Sequence, residues 1–89
     1  MHPFNKIRCN SIGYRQGFIE ILPNIHQGHI NIETWSVHPE TDISNIDISD
    51  DQISDESVEG NTELEMSIDQ AEQLIALLQA AISEVKSGG

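Results

Sequence analysis

The stretch NTELEMSIDQAEQLIALLQAAISEVK, residues 61–86, decides the fold. In its first part Leu64, Met66 and Ile68 alternate with Glu63, Glu65 and Ser67, the period of two that marks a strand with one buried face. At Ser67 the period changes. Ser67 is a side chain that caps helix N-termini, Gln70 stands three places later in the capping-box position, and Asp69 and Glu72 put negative charge near the positive end of the helix dipole. Ala71, Leu74, Ile75, Leu78, Ala81, Ile82 and Val85 then recur at spacings of three and four, which makes a core-facing stripe. Lys86 and Gly88 are stop signals. The pattern predicts a strand over 61–68 and a helix over 68–86, about 19 residues and roughly 28 Å long at 1.5 Å rise per residue.

Working back from that strand, residues 1–39 hold every aromatic side chain, all four histidines and three of the four basic residues, and read as strands. Ile19 and Ile21 share one side of a pleated strand, and Ile30 and Ile32 one side of the next. Between them Pro23-Asn24-Ile25-His26-Gln27-Gly28 supplies a fixed φ and a residue tolerant of positive φ, as a hairpin loop needs. An earlier strand around Lys6 to Ile12 sets Ile7 and Cys9 on the same inner face, with a turn over 13–17. The expected architecture is α+β: a small antiparallel sheet of three to four strands packed on one C-terminal helix. The helix is expected to lie across the face carrying Ile7, Cys9, Ile19, Ile21, Ile30, Ile32, Leu64, Met66 and Ile68.

Residues 40–60 differ in kind: eight acids and no base. A five-residue quasi-repeat runs through them, Asp42-Ile43-Ser44-Asn45-Ile46, Asp47-Ile48-Ser49-Asp50-Asp51 and Gln52-Ile53-Ser54-Asp55-Glu56. It resembles pentapeptide-repeat β-helices, yet three imperfect copies cannot stack into a solenoid. The plainer expectation is a solvated acidic loop tethered by Ile43, Ile46, Ile48 or Ile53.

The chain has 89 residues, 15 acids against 4 bases, and a formal charge of −11. Direct binding to nucleic acid or to an anionic membrane is disfavoured, because both need the Lys and Arg that are scarce here. Leu, Ile, Val and Phe make up about 27% of the residues, enough for a folded domain where roughly 20% is the lower bound at high net charge. The single cysteine forms no intramolecular disulfide, residues 1–6 lack an apolar signal core, and the longest apolar run is Leu74 to Leu78. A single soluble, cytoplasmic domain is expected.

Candidate chemistry is sparse. His26 and His29 have ligand-like spacing, but a structural zinc takes four ligands and a catalytic one three, and no third is evident, so no metal or cofactor is expected. Counted from Asn45, the ligand positions of a calcium loop would be Asn45, Asp47, Ser49 and Glu56, but Asp50 stands where the sharp turn requires glycine. No nucleophile elbow or phosphate loop is present, and catalysis is not expected.

Binding is the better reading. Either Phe18, Leu22, Trp35 and Val37 form an apolar patch on the sheet's outer face or a β-bulge near Thr34 redirects the second strand; the acidic loop or Phe4 folding over the patch is the competing arrangement. The outer side of the helix, with Glu72, Gln73, Ala76, Gln79, Ala80 and Ser83, is bland enough for a two-fold homodimer through the helix. In size, acidity and compact α+β build the chain is similar to phage-encoded anti-CRISPR proteins and other small DNA mimics. That compositional resemblance implies a non-catalytic inhibitor whose carboxylates occupy a basic groove on a nucleic-acid-handling enzyme. Its expected contacts are Asp42, Asp47, Asp50, Asp51, Asp55 and Glu56, with Phe18, Leu22, Trp35 and Val37 as apolar anchors. The alternative is a structural or adaptor subunit acting through homo-oligomerisation, its acidic loop serving solubility.

Overall fold

A computed structural model describes residues 5–45 and 55–88. Four strands, β1 (Lys6–Cys9), β2 (Gly17–Pro23), β3 (Ile30–Val37) and β4 (Val58–Met66), precede one helix, α1 (Ile68–Lys86), with short 3-10 turns at Gly13–Arg15 and Asp55–Ser57. The strands form one antiparallel sheet in the order β1-β2-β3-β4. This is the α+β class that the strand and helix periods predict. Three boundaries differ from the sequence reading. β1 ends at Cys9 instead of reaching Ile12. β4 begins at Val58 instead of residue 61, taking in residues assigned to the acidic loop, and Ile68 belongs to the helix instead of the strand.

Local chemistry accounts for the elements. The β2–β3 loop closes through Asn24 N–H donating to the His29 carbonyl at 2.9 Å and His29 N–H to that of His26 at 3.0 Å. Asn24 and Gly28 hold positive φ, 62° and 79°, and the Asn24 side chain accepts from Gly28 N–H, which are roles suited to these two residue types. Helix α1 opens on the expected capping box: the Ser67 hydroxyl accepts from Gln70 N–H at 3.2 Å and the Gln70 side-chain oxygen accepts from Ser67 N–H at 2.9 Å. Ser67→Ala is expected to lower helix stability by about 1 kcal/mol. A thermal melt followed by far-UV circular dichroism checks this; an unshifted midpoint would show that the cap contributes nothing.

Register assigns the faces. Ile7 pairs with Ile19, Ile19 with Thr34, Ile21 with Ile32, Ile32 with Leu64, and Ile30 with Met66. Directly opposed residues share a face, so the set expected to face the helix, apart from Ile68, which belongs to α1, does occupy one side of the sheet. Phe18 and Trp35 pair on the other side. A bulge breaks the β3–β4 register between Ser36 and Val37, with Glu59 as the extra residue, two positions beyond the expected site near Thr34.

Burial then separates the faces in an unexpected sense. The core consists of Phe18, Val37 and Ile43, 3%, 1% and 1% exposed, with Trp35 packed against it. It lies on the outer face, under the chain that leaves β3. Gln16 holds that chain down: its buried side-chain N–H groups donate to the carbonyls of His38 and Thr41 at 2.7 and 2.6 Å. The face assigned to the helix stays open, with Ile7 56% and Leu64 71% exposed. Cys9, expected as a small inward residue, is exposed on the same side. Helix α1 makes its principal contact with β4, and within it only Ala71 and Leu74 are half-buried. Ile75, Leu78 and Ile82 of its stripe remain exposed. The physical cause is the connection: one residue, Ser67, joins β4 to α1, which is too short to turn the helix back across the sheet it has just left.

Candidate functional site

The outer face of the sheet carries an apolar cluster at one end and a row of carboxylates across its middle, with Leu22 and Asn31 beyond the row. At the apolar end Phe18, Trp35 and Val37 meet Ile43, while Leu22 is half-buried farther along. Phe18 and Val37 are therefore core residues and present no surface, and of the four expected anchors only Trp35 and Leu22 are partly accessible. The start of the acidic segment, through Ile43, covers the patch. This is the competing arrangement that the sequence left open.

In the middle of that face Glu20 pairs with Glu33 and Glu33 with Glu63, three carboxylates in one row across β2, β3 and β4. Directly opposed side chains in an antiparallel pair have Cβ atoms roughly 4.5–5.5 Å apart, and like charges so placed are destabilising. The surroundings offset part of that. Asn5 donates to Glu20 at 3.4 Å, the Asn61 side chain donates to Glu33 at 3.0 Å, and Lys6 stands opposite Glu20 in the register. Glu65 lies on the same face, its carboxylate oxygens 2.6 and 2.7 Å from His26 Nδ1. This row was not found in the sequence, although glutamates out of phase with the isoleucines of each strand are its signal.

The expected acidic contacts are scattered. Asp42 is exposed, and its Oδ1 accepts from both the backbone N–H and the hydroxyl of Ser44. The hydroxyl bond, then the backbone bond, hold its pKa below the ordinary 3.8. This turn therefore contributes fully above that ordinary value and is lost only as pH falls through the lowered one. Glu56 is exposed and Asp55 begins the second 3-10 turn. Asp47, Asp50 and Asp51 lie outside the described residues, as do most of the calcium-loop positions and of the quasi-repeat.

The two loop histidines do not converge. His26 turns to Glu65, whereas His29 Nδ1 lies 3.1 Å from the Gln27 carbonyl within its own loop. Among the described residues no group of three or more His, Cys, Asp or Glu side chains is placed to hold a metal ion, and no helix is long and apolar enough to cross a membrane.

Fold and surface together define a small α+β protein in which every charged strand residue with a register partner, Lys6, Arg8, Glu20, Glu33, Glu63 and Glu65, lies on the outer side of the sheet, while Glu59 stands at the bulge. No protein-family model, curated protein or solved structure matches the chain.

Proposed function

We propose that the protein is a non-catalytic binding protein that engages a basic partner through the carboxylate-bearing outer face, in the manner of a nucleic-acid mimic of anti-CRISPR or immunity type. The observation that carries this reading is the row Glu20, Glu33, Glu63, a like-charge arrangement that costs the free protein stability and is relieved when a cationic surface covers it. A net charge of −11 adds long-range steering toward such a surface. The covering segment makes Phe18 and Val37 structural, so Trp35 and Leu22 are the remaining apolar contacts on that side.

The test uses the full chain as bait at low and high salt, beside a variant carrying Glu20→Gln, Glu33→Gln and Glu63→Gln. Gln keeps an acceptor for Asn61 and removes the repulsion, so the variant is expected to be at least as stable as the wild type. A basic nucleic-acid-handling enzyme retained by the wild type, released as salt rises and lost by the variant, is the expected result; exposed charge pairs are screened beyond about 8 Å at physiological ionic strength. Equal capture by both baits would overturn the reading. It would favour the structural or adaptor alternative, which the exposed helix stripe supports.

A further inference from the structure

The molecule carries two uncovered surfaces without charge. One is the inner face of the sheet, where Ile7, Ile19, Ile21, Ile32 and Leu64 surround Thr34 and Thr62, whose hydroxyls satisfy each other at 2.6 Å. The other is the stripe of α1, in a run from Gln73 to Ser83 that contains no Asp, Glu, Lys or Arg. A sheet face and a helix stripe of this kind are the two halves of one packed layer. Within one chain the connection through Ser67 alone keeps them apart.

We propose that the occupant of each surface is a second copy of this chain: two copies associate about a two-fold axis, and α1 of each lies across the inner sheet face of the other. The exposure of the two surfaces supports this: Ile7 and Leu64 on the sheet face and Ile75, Leu78 and Ile82 on the helix are each more than half exposed within one copy, an apolar area that a monomer leaves in water and that a second copy of the same chain removes from it.

Dimensions and symmetry also agree. The 19-residue helix is about 28 Å long. The nine residues of β4 extend about 30 Å. Each copy offers one helix and one sheet face, so a single reciprocal pairing consumes both and closes, leaving no open surface for a filament. A strongly charged partner fits neither surface, because neither has a charge to meet it. Two chains of net charge −11 tolerate this contact because Glu20, Glu33, Glu63 and Glu65 lie on the opposite face of each sheet, outside it. The proposal is independent of the acidic-face reading, and Glu20→Gln, Glu33→Gln and Glu63→Gln are expected to leave it unaffected.

The decisive measurement is the mass of the intact chain in solution, by light scattering after size exclusion at tens of micromolar. A mass about twice 9.9 kDa is expected, and a monomer or an open-ended series of oligomers would overturn the proposal. Two variants then locate the interface: Leu64→Glu on the sheet face and Leu78→Lys on the helix, positions 71% and 53% exposed within one copy. Each alone should give the monomer mass with its circular dichroism retained. Mixed in equal amounts they should recover the dimer, because one wild-type helix then meets one wild-type sheet face. Dimerisation of Leu64→Glu by itself, or no recovery on mixing folded variants, would overturn the reciprocal arrangement. If Leu78→Lys fails to fold, Leu64→Glu and the wild-type mass still decide.

Discussion

Gly17→Ala is expected to lower the thermal midpoint by more than 10 °C, and among the described glycines only Gly17 has atoms within 4 Å of an added Cβ. A Cβ at position 17 would stand 1.8 Å from the Trp35 carbonyl oxygen and 2.9 Å from its carbon, with the Ser36 Cα at 3.2 Å. All three are backbone atoms of β3, the strand paired with β2 at this point, so no side chain can swing aside. The strands must separate, beside the core residue Phe18. Overpacking ordinarily costs about 1–3 kcal/mol, and a contact against hydrogen-bonded backbone belongs at or above the upper end. At roughly 4–8 °C per kcal/mol for a domain of this size, that yields the stated shift. The torsion is not at issue, since the positive-φ glycines are Gly28 and Gly88. Gly60→Ala is the control: nothing lies within 4 Å of its Cβ, and its melt should stay within about 0.5 kcal/mol of wild type. Equal behaviour of the two variants would refute the close approach of β2 and β3.

Ile43→Ala is expected to cost about 2–5 kcal/mol, the range for truncating a fully buried aliphatic side chain. Ile43 is only 1% exposed although it lies in a connection, because it closes the apolar end of the outer face over Phe18 and Val37. The connection is held by Gln16 at His38 and Thr41, by His38 N–H donating to the Ser57 carbonyl at 2.9 Å, and by the Asp42–Ser44 turn. Removing the anchor leaves those polar contacts with nothing to seal beneath them. The chain has one tryptophan, Trp35, packed against this cluster, so its emission reports the change directly. A red shift together with a midpoint lowered by about 8 °C or more is the expected result. An unchanged spectrum would mean that the segment does not cover the face in solution.

These two positions also show what could be read from residues in order. Gly17 is a plain glycine in a strand, and nothing beside it announces that the β3 backbone passes within reach of its missing side chain. Ile43 was legible as one of four candidate tethers, but not as the one that completes the core. The Glu20, Glu33, Glu63 row was hidden for a similar reason. Each glutamate looks like an ordinary outward residue of its own strand, and only the register of three strands brings them side by side. For Phe18 and Val37 the sequence leaves an exposed patch and a covered core as competing arrangements, because alternation tells which side a residue takes and not what lies over that side.

Sequence alone determined everything governed by neighbours a few residues apart. The limits of α1 follow from the Ser67–Gln70 capping box and the terminal Lys86 and Gly88, and the β2–β3 hairpin follows from a loop closed by Gly28, while the left-handed Asn24 beside it was shown only by the structure. The grouping of Ile7, Ile19, Ile21, Ile30, Ile32, Leu64 and Met66 on one side follows from the period of the pleat. Tertiary structure decided which of the two faces became the core. Both faces carry apolar residues, and the choice turned on a one-residue link that directs the helix away and on a connection, pinned by Gln16, that folds over the other side. Burial depends on which surfaces meet in space, and periodicity along a chain contains no term for that.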